Sequence, residues 1–203
     1  MRTTIVTLAA GNHSRIAEET LGNKAKYASL HGYSLVSFGQ KLDQSRPAAW
    51  SKILAIESVI RSSDLVAWMD ADAVVVDMDQ KIEPMVDSGI DVAIAAENGS
   101  DGTIHPNSGF IVFRNTPDVI ELLRQWWNSP GDESEASIGT ENGGPWDQPH
   151  LRRLLRIRGG DMGIAVLGDA FNARPSRRGW KFLVHPLGGS AEDKLDKLRP
   201  FLK

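Results

Sequence analysis

The segment WMDADAVVV, from Trp68 to Val76, carries the strongest indication of the fold in this chain. Together with the apolar residues that begin at Leu65, it predicts a buried strand that ends at Met69. Two aspartates follow the strand directly. In open α/β sheets ligands bind at the carboxyl ends of the strands, so we expect a binding site at this point of the chain.

Asp70 and Asp72 are the candidate ligands of a divalent cation. On a continuing strand, side chains two residues apart merely share a face, but where a strand ends both carboxylates can approach one ion. Ala71, the small residue between them, leaves room for that approach and is counted with the cofactor-binding residues. Mg²⁺ and Mn²⁺ prefer oxygen ligands and keep positions open for phosphate oxygens. A solvated turn whose aspartates cap a helix is the alternative interpretation.

Elsewhere, short apolar segments alternate with helical ones. Six have the composition of strands: Thr3 to Leu8, Tyr33 to Phe38, Asp91 to Ala96, Gly109 to Phe113, Gly163 to Leu167 and Phe182 to Val184. Helices are predicted up to Leu30, from Pro47 to Arg61, and from Thr116 with an apolar face of Ile120, Leu123 and Trp127. This alternation predicts one α/β domain over residues 1–203, with a mainly parallel twisted sheet flanked by helices.

Composition excludes several classes of function. A formal net charge of -3 argues against a protein that binds duplex DNA, which normally needs a basic excess. The chain has no cysteine, and this excludes disulfides, thiolate nucleophiles and thiolate zinc sites. The apolar run at the N-terminus is too short for a signal peptide or a membrane span. We therefore predict a cytoplasmic protein with no transmembrane segment and no nucleic-acid partner.

The motif HPLGG, His185 to Gly189, follows the last predicted strand. His185 would be a third metal ligand, while Gly188 and its neighbour would let backbone amides approach a diphosphate closely. A structural histidine in a turn is the alternative. The region from Leu151 to Lys181 contains eight Arg or Lys and two Asp, a basic excess that suits either phosphate or a solvated helix face.

Two further segments carry candidate residues. Asp147 and Gln148 come just before a helix that starts with a proline, so Asp147 is either a helix N-cap or, with Gln148, part of the reaction centre. The residues from Asn128 to Pro145 are rich in acidic residues, glycine and proline. They are predicted to form an exposed, flexible loop of the kind that acts as a lid.

The N-terminal LAAGNHSR motif resembles the L-A-A-G-x-G-x-R opening of sugar-phosphate nucleotidyltransferases, except that His13 stands at the second glycine. A nucleotide would sit on the backbone of Thr7, Leu8, Ala9 and Ala10 in an enzyme of that kind. The same placement holds for the second family that the chain resembles.

Six further motifs follow one another along the chain: NKAKYASLHGY (23–33), WSK (50–52), WMDADAVV (68–75), NSGFIVFRN (107–115), WDQ (146–148) and HPLGG (185–189). In this order they resemble the motifs of glycosyltransferase family 34, and the resemblance extends from about residue 23 to residue 189. That family includes fungal α-galactosyl- and mannosyltransferases and plant xyloglucan xylosyltransferases. The resemblance implies a GT-A fold, a need for manganese, and transfer of a sugar from a nucleotide-diphosphate donor to a glycan acceptor with retention of configuration.

The family pattern can be carried onto individual residues of this sequence. It assigns the metal to Asp70, Asp72 and His185. The other implied roles concern the donor: Lys52 at its phosphate or sugar, Asn107, Ser108 and Gly109 around its sugar, and Asp147 with Gln148 at the reacting anomeric carbon.

Three functions are therefore compared. A retaining glycosyltransferase is favoured, with same-face attack preferred to a covalent intermediate on Asp147. A sugar-1-phosphate nucleotidyltransferase would instead consume a nucleoside triphosphate. A non-catalytic domain that binds a sugar nucleotide is the third, and the presence of Asp70, Asp72 and His185 argues against it.

Overall fold

The structure is a computed structural model, and it describes residues 1–98, 103–129 and 146–202. These ranges contain nine strands: β1 (Thr3–Leu8), β2 (Ser34–Phe38), β3 (Leu65–Met69), β4 (Val74–Val75), β5 (Val92–Asn98), β6 (Ile104–Arg114), β7 (Ile164–Leu167), β8 (Asn172–Ala173) and β9 (Leu183–Val184). They also contain five α-helices: α1 (Ser14–His31), α2 (Ser51–Ile60), α3 (Pro117–Trp127), α4 (Asp147–Arg158) and α5 (Ala191–Leu198). Each of these helices is too short or too polar to cross a membrane.

Six strands form the central sheet, in the order β2–β1–β3–β6–β5–β7. β1 pairs in parallel with β2 and β3, and β5 pairs in parallel with β7. β6 runs antiparallel to both of its neighbours, β3 and β5. The predicted mainly parallel sheet is confirmed, and the strands other than β6 deliver their carboxyl ends to one edge.

Both faces of this sheet are buried, because alternate residues of a strand point to opposite sides. Along β3, Val66 and Trp68 pack with residues of α2, α3 and α4. Leu65, Ala67 and Met69 pack with residues of α1 on the other face. The uninterrupted apolar run before the aspartates is therefore the consequence of a strand that is covered by helices on both sides.

A second, three-stranded sheet brings distant parts of the chain together. In it β9 lies between β4 and β8, antiparallel to the first and parallel to the second. Val74 pairs with Val184, so the next residue, His185, lies beside the turn that precedes β4. Leu195 and Leu198 of α5 pack on the same two valines. This small sheet is what carries the C-terminal motif to the end of β3.

The predicted apolar face of α3 is confirmed at Leu123 and is wrong at Ile120 and Trp127, which are only partly buried. The helix buries Val119, Leu122, Leu123 and Trp126. Paired apolar residues at consecutive positions make both faces compatible with the helical period. The buried indole of Trp126 donates a hydrogen bond to a main-chain carbonyl of α4, which favours the observed face.

Two predictions concern the segment before α4. Trp146, not Asp147, is the N-cap of that helix, and Asp147 is its first residue. The cap interpretation of Asp147 is therefore wrong, and its carboxylate is available for other contacts. The proposed lid, Asn128 to Pro145, lies outside the described residues except for its first two.

Candidate active site

Asp70 and Asp72 lie in a tight turn that begins where β3 ends. The Asp70 amide donates to the carbonyl of Gly109 at 2.9 Å, and the Ala73 amide donates to the carbonyl of Asp70 at 3.0 Å. The Asp70 carboxylate is 26% exposed and accepts a hydrogen bond from Trp68 Nε1 at 2.7 Å. Asp72 is buried. Both aspartates thus leave the sheet at its carboxyl edge, as the sequence predicts.

His185 lies against both carboxylates. Its Nε2 is 3.1 Å from Asp72 Oδ1 and 3.7 Å from Asp70 Oδ2. One potential ligand atom from each of the three side chains falls within 4.8 Å of the others. Two carboxylate oxygens and one imidazole nitrogen suit Mn²⁺ or Mg²⁺ and leave positions for phosphate oxygens. The three residues predicted as ligands therefore fit a divalent cation.

Two side chains of helix α1 donate hydrogen bonds to the main chain of this turn. Thr20 Oγ1 donates to the Ala71 carbonyl at 2.6 Å, and Lys24 Nζ donates to the carbonyls of Ala71 and Ala73 at 3.1 and 2.6 Å. Lys24 is buried, and burial lowers its pKa to about 8 although the two aspartates oppose that shift. The main chain of the turn from Asp70 to Ala73 is thus fixed by Thr20 and by Lys24, a residue of the NKAKYASLHGY segment.

Lys52 connects the turn to a second buried acid. Its Nζ lies 3.5 Å from Asp70 Oδ1 and 3.3 Å from Asp147 Oδ2, and it donates to the Ser108 hydroxyl at 3.1 Å. Burial opposes the charge on Lys52, but Asp147 and Asp70 outweigh burial and raise its pKa. The amine is therefore an ammonium at neutral pH, held between two carboxylates.

Asp147 presents a buried carboxylate at the start of α4. Burial raises its pKa, Lys52 opposes the rise, and the charge of Asp70 adds to it. Trp126 Nε1 donates to the main-chain carbonyl of Asp147 at 2.8 Å, and this contact fixes the first turn of the helix. Lys52 thus lies between Asp147 and the turn that contains Asp70.

Gln148 belongs to a polar network around Glu97. Its Oε1 accepts from the Ser108 amide at 2.7 Å, and its Nε2 donates to Glu97 at 3.3 Å. Glu97 also accepts from Asn107 Nδ2 at 2.7 Å and from Arg152 Nη2 at 2.5 Å. Sequence reasoning missed Glu97, although it lies at the carboxyl end of β5, where the rule that singled out the end of β3 also applies.

Gly109 lies where the imidazole of His185 packs on β6. A Cβ on Gly109 would be 2.5 Å from Cε1 and 2.6 Å from Nδ1 of His185, and 2.9 Å from Asn107 Oδ1. That oxygen accepts from the Gly109 amide at 2.8 Å and from Asn172 Nδ2 at 2.9 Å. Close approach of the histidine ring, rather than an unusual backbone conformation, therefore requires glycine here.

Four other residues are predicted to bind the donor: Thr7, Leu8, Ala9 and Gly188. Thr7 is buried, and its hydroxyl has no hydrogen-bond partner within the described part of the chain. Leu8 is half-buried at the end of β1, and the Ala9 amide donates to the Phe38 carbonyl at 2.9 Å. Gly188 has a φ of 65° in the turn before α5. Their contact with a nucleotide stays a prediction.

The basic excess between residues 151 and 181 is partly neutralised by ion pairs. Three of its arginines form salt bridges: Arg152 with Glu97, Arg158 with Asp118, and Arg177 with Asp169. These three cations are engaged by carboxylates of the chain, and for the remaining cations both phosphate binding and a solvated helix face stay open as predictions.

Comparison with known proteins adds independent information. Residues 3–90 match the galactosyl transferase GMA12/MNN10 family. Probable glycosyltransferase 6 of Oryza sativa subsp. indica is 27% identical over 113 residues, which cover 52% of this chain and 23% of the relative. The chain therefore spans about a quarter of the length of that curated relative.

Two solved structures share the fold. A glycosyltransferase involved in the glycosylation of the major capsid of PBCV-1 is similar over 98% of this chain and 100% of its own, with a TM-score of 0.74 and 19% identity. The catalytic domain of Drosophila β1,4-galactosyltransferase 7, in complex with xylobiose, is similar over 93% of this chain and 72% of its own, with a TM-score of 0.58 and 10% identity.

These matches agree with the motifs read from the sequence, which resemble the same family, and with the layered α/β architecture. The chain has the GT-A fold of glycosyltransferases and, over residues 3–90, the sequence characteristic of the galactosyl transferase GMA12/MNN10 family.

Proposed function

We propose that this protein is a metal-dependent glycosyltransferase that moves a sugar from a nucleotide-diphosphate donor to a hydroxyl group of a glycan acceptor. The observation that carries the proposal is the cluster of Asp70, Asp72 and His185 at the carboxyl edge of the sheet. A second Drosophila β1,4-galactosyltransferase 7 structure of the same fold, with a TM-score of 0.53, contains manganese, UDP-Gal and xylobiose. That complex supports a donor and an acceptor of these classes.

The reaction separates a nucleoside diphosphate from a sugar, so negative charge grows on the leaving phosphate. A divalent cation supplies a Lewis acid that stabilises this charge. Asp70, Asp72 and His185 would hold it. Lys52 holds Asp70 and Asp147 on either side of one ammonium. This arrangement fixes the distance between the carboxylate beside the metal and the carboxylate proposed to face the sugar.

We favour retention by same-face attack of the acceptor hydroxyl. Asp147 is the carboxylate proposed to face the anomeric carbon, but its Oδ2 lies 3.3 Å from the Lys52 ammonium. This ion pair holds the carboxylate in place, while burial raises its pKa against the opposing charge of Lys52. We assign Asp147 to the stabilisation of a positive, oxocarbenium-like centre rather than to a covalent bond with it, and this preference rests on the family resemblance. Gln148, tied to Ser108 and Glu97, would hold the sugar side of the site in shape.

The test compares Asp72→Asn with the wild type by calorimetric titration of UDP in the presence of Mn²⁺. Asparagine keeps the size of the side chain, which matters because Asp72 is buried against His185 and Lys194. We expect metal-dependent UDP affinity to fall by about 100-fold or more, since a charged ligand of the cation is lost. Asp79→Asn, an exposed aspartate after β4, is the matched control and should bind as the wild type does.

Undiminished metal-dependent affinity in Asp72→Asn would contradict the proposal. Donor hydrolysis with Mn²⁺ across a panel of nucleotide sugars then identifies the donor of the wild-type protein. Consumption of a nucleoside triphosphate with a sugar 1-phosphate would instead favour the nucleotidyltransferase alternative, and UDP binding without hydrolysis of any donor would favour a non-catalytic domain.

A further inference from the structure

Helix α5 directs a lysine at the metal-binding turn. Lys194 Nζ lies 2.5 Å from Asp72 Oδ2, while Asp72 Oδ1 faces His185. The Lys194 side chain is only 14% exposed. Asp72 thus has a cationic or hydrogen-bonding partner on each of its oxygens, and one of those partners was not anticipated from the sequence.

The position of Lys194 is fixed by the helix that carries it. Ser190 and Asp193 form a capping box at the start of α5, and Leu195 and Leu198 are buried on the small sheet. A capping box satisfies amides of the first turn, so it resists fraying of this short helix. Lys194, in that first turn, is therefore held within reach of Asp72 rather than meeting it by chance.

We propose that Lys194 competes with the divalent cation for the carboxylate of Asp72, so that the metal binds well only together with the diphosphate. The inference rests on the proposed function, because it concerns the same metal site. An ammonium and a divalent cation on one buried carboxylate repel each other strongly, since the interior screens charge poorly. One of the two must move, or an anion must come between them.

A diphosphate resolves this competition. Its oxygens bind the metal and also accept hydrogen bonds from the displaced ammonium, so the anion stabilises both cations at once. Binding of metal and binding of diphosphate are then coupled, and each raises the affinity for the other by the same factor. Lys194 is the residue that sets the size of this coupling, by weakening the binding of metal alone.

The experiment titrates Mn²⁺ into each protein with and without saturating UDP and follows free Mn²⁺ by electron paramagnetic resonance. In Lys194→Met we expect Mn²⁺ alone to bind about 10-fold more tightly than in the wild type, because the competing charge is gone. The ratio of the Mn²⁺ dissociation constants without and with UDP should fall by a similar factor. Lys197→Met, an exposed lysine on the same helix, is the matched control and should change neither value.

A second substitution separates charge from packing. Lys194→Arg keeps the competing cation, so its Mn²⁺ affinity should stay close to that of the wild type. Where Lys194→Met unfolds, Lys194→Gln removes the charge but keeps a hydrogen-bond donor for Asp72, and it should give the same tighter binding of Mn²⁺.

Unchanged or weaker binding of Mn²⁺ alone in both uncharged variants would overturn the inference, as would a coupling ratio equal to that of the wild type. That outcome leaves the proposed function intact, provided that the wild type binds Mn²⁺ with UDP. Failure of every protein to bind Mn²⁺ with UDP present would overturn the proposed function and this inference together.

Discussion

Gly109→Ala should damage the proposed metal site although it replaces none of the proposed ligands. The new Cβ would lie 2.5 Å from His185 Cε1, whereas ordinary contacts begin at 3.4 Å, so the ring must retreat by about 0.9 Å. Bonds between a metal and its ligands tolerate deviations of only about 0.2 Å. A shift of this size therefore takes the imidazole out of bonding range.

Two quantities should change in this variant. The affinity for Mn²⁺ with UDP should fall by about 10–100-fold, which is typical of changes to residues that position a metal ligand. Overpacking at this point should lower the free energy of unfolding by about 1–3 kcal/mol. Gly22→Ala is the control, because a Cβ there meets no atom within 4 Å and alanine favours the α1 helix in which it lies.

A double-mutant cycle with His185→Ala isolates the cause. With the ring removed, the destabilisation by Gly109→Ala should shrink to what remains from the contact with Asn107 Oδ1, so urea denaturation should show a coupling energy of about 1 kcal/mol or more. Wild-type Mn²⁺ affinity in Gly109→Ala, or purely additive effects on stability, would refute the assignment of His185 as a ligand held by this contact.

Two further predictions follow from the electrostatics of the site. Burial lowers the pKa of His185, but the charge of Asp72 outweighs burial and raises this pKa above its ordinary 6.5. Mn²⁺ must then displace a proton from the imidazole, so the affinity for Mn²⁺ should fall as pH drops through a midpoint above 6.5. Titration calorimetry should show this pH dependence lost in His185→Ala, and an unchanged profile would remove the histidine from the site. Glu97→Gln should lower kcat for donor hydrolysis by about 10-fold or more and leave the affinity for Mn²⁺ unchanged, because the loss of charge loosens Arg152 and Gln148. An equal fall of kcat in Arg152→Lys would support the network around Glu97. A wild-type kcat in Glu97→Gln would contradict it.

The sequence is most informative about β3 and about the aspartates that follow it. The apolar run before Asp70 predicts both the buried strand and the edge at which the aspartates emerge, because burial on two faces demands apolar residues at every position. The position of His185 after a predicted strand and the family resemblance both indicate a third metal ligand, but neither explains why it lies next to the aspartates. The physical cause of this placement is the pairing of β9 with β4. The composition of Phe182 to Val184 predicts the first of these strands correctly, but the sequence pattern does not reveal its partner, a strand of only two residues.

Two predictions about helices, the apolar face of α3 and the N-cap of α4, are wrong because the local sequence is compatible with more than one structure. The apolar face of α3 has doublets at positions 122–123 and 126–127, so the helical period alone does not choose between them. Asp147 has the residue type of an N-cap and stands one position too late to be one. Its actual partner, Lys52, is far away in the sequence, and contacts of this kind follow from the packing of helices rather than from spacing.

Charge balance explains why the residues missed by sequence reasoning matter as much as those it found. Around the turn, three aspartates face three lysines: Asp70, Asp72 and Asp147 against Lys24, Lys52 and Lys194. When His185 is neutral, as it must be to bind a metal, the lysines neutralise the aspartates without any added ion, and a divalent cation on its own introduces two charges that the protein does not offset. A nucleoside diphosphate brings the missing negative charge. A site built in this way favours the metal–diphosphate complex over either component, since each alone leaves charge uncompensated in a poorly screened interior.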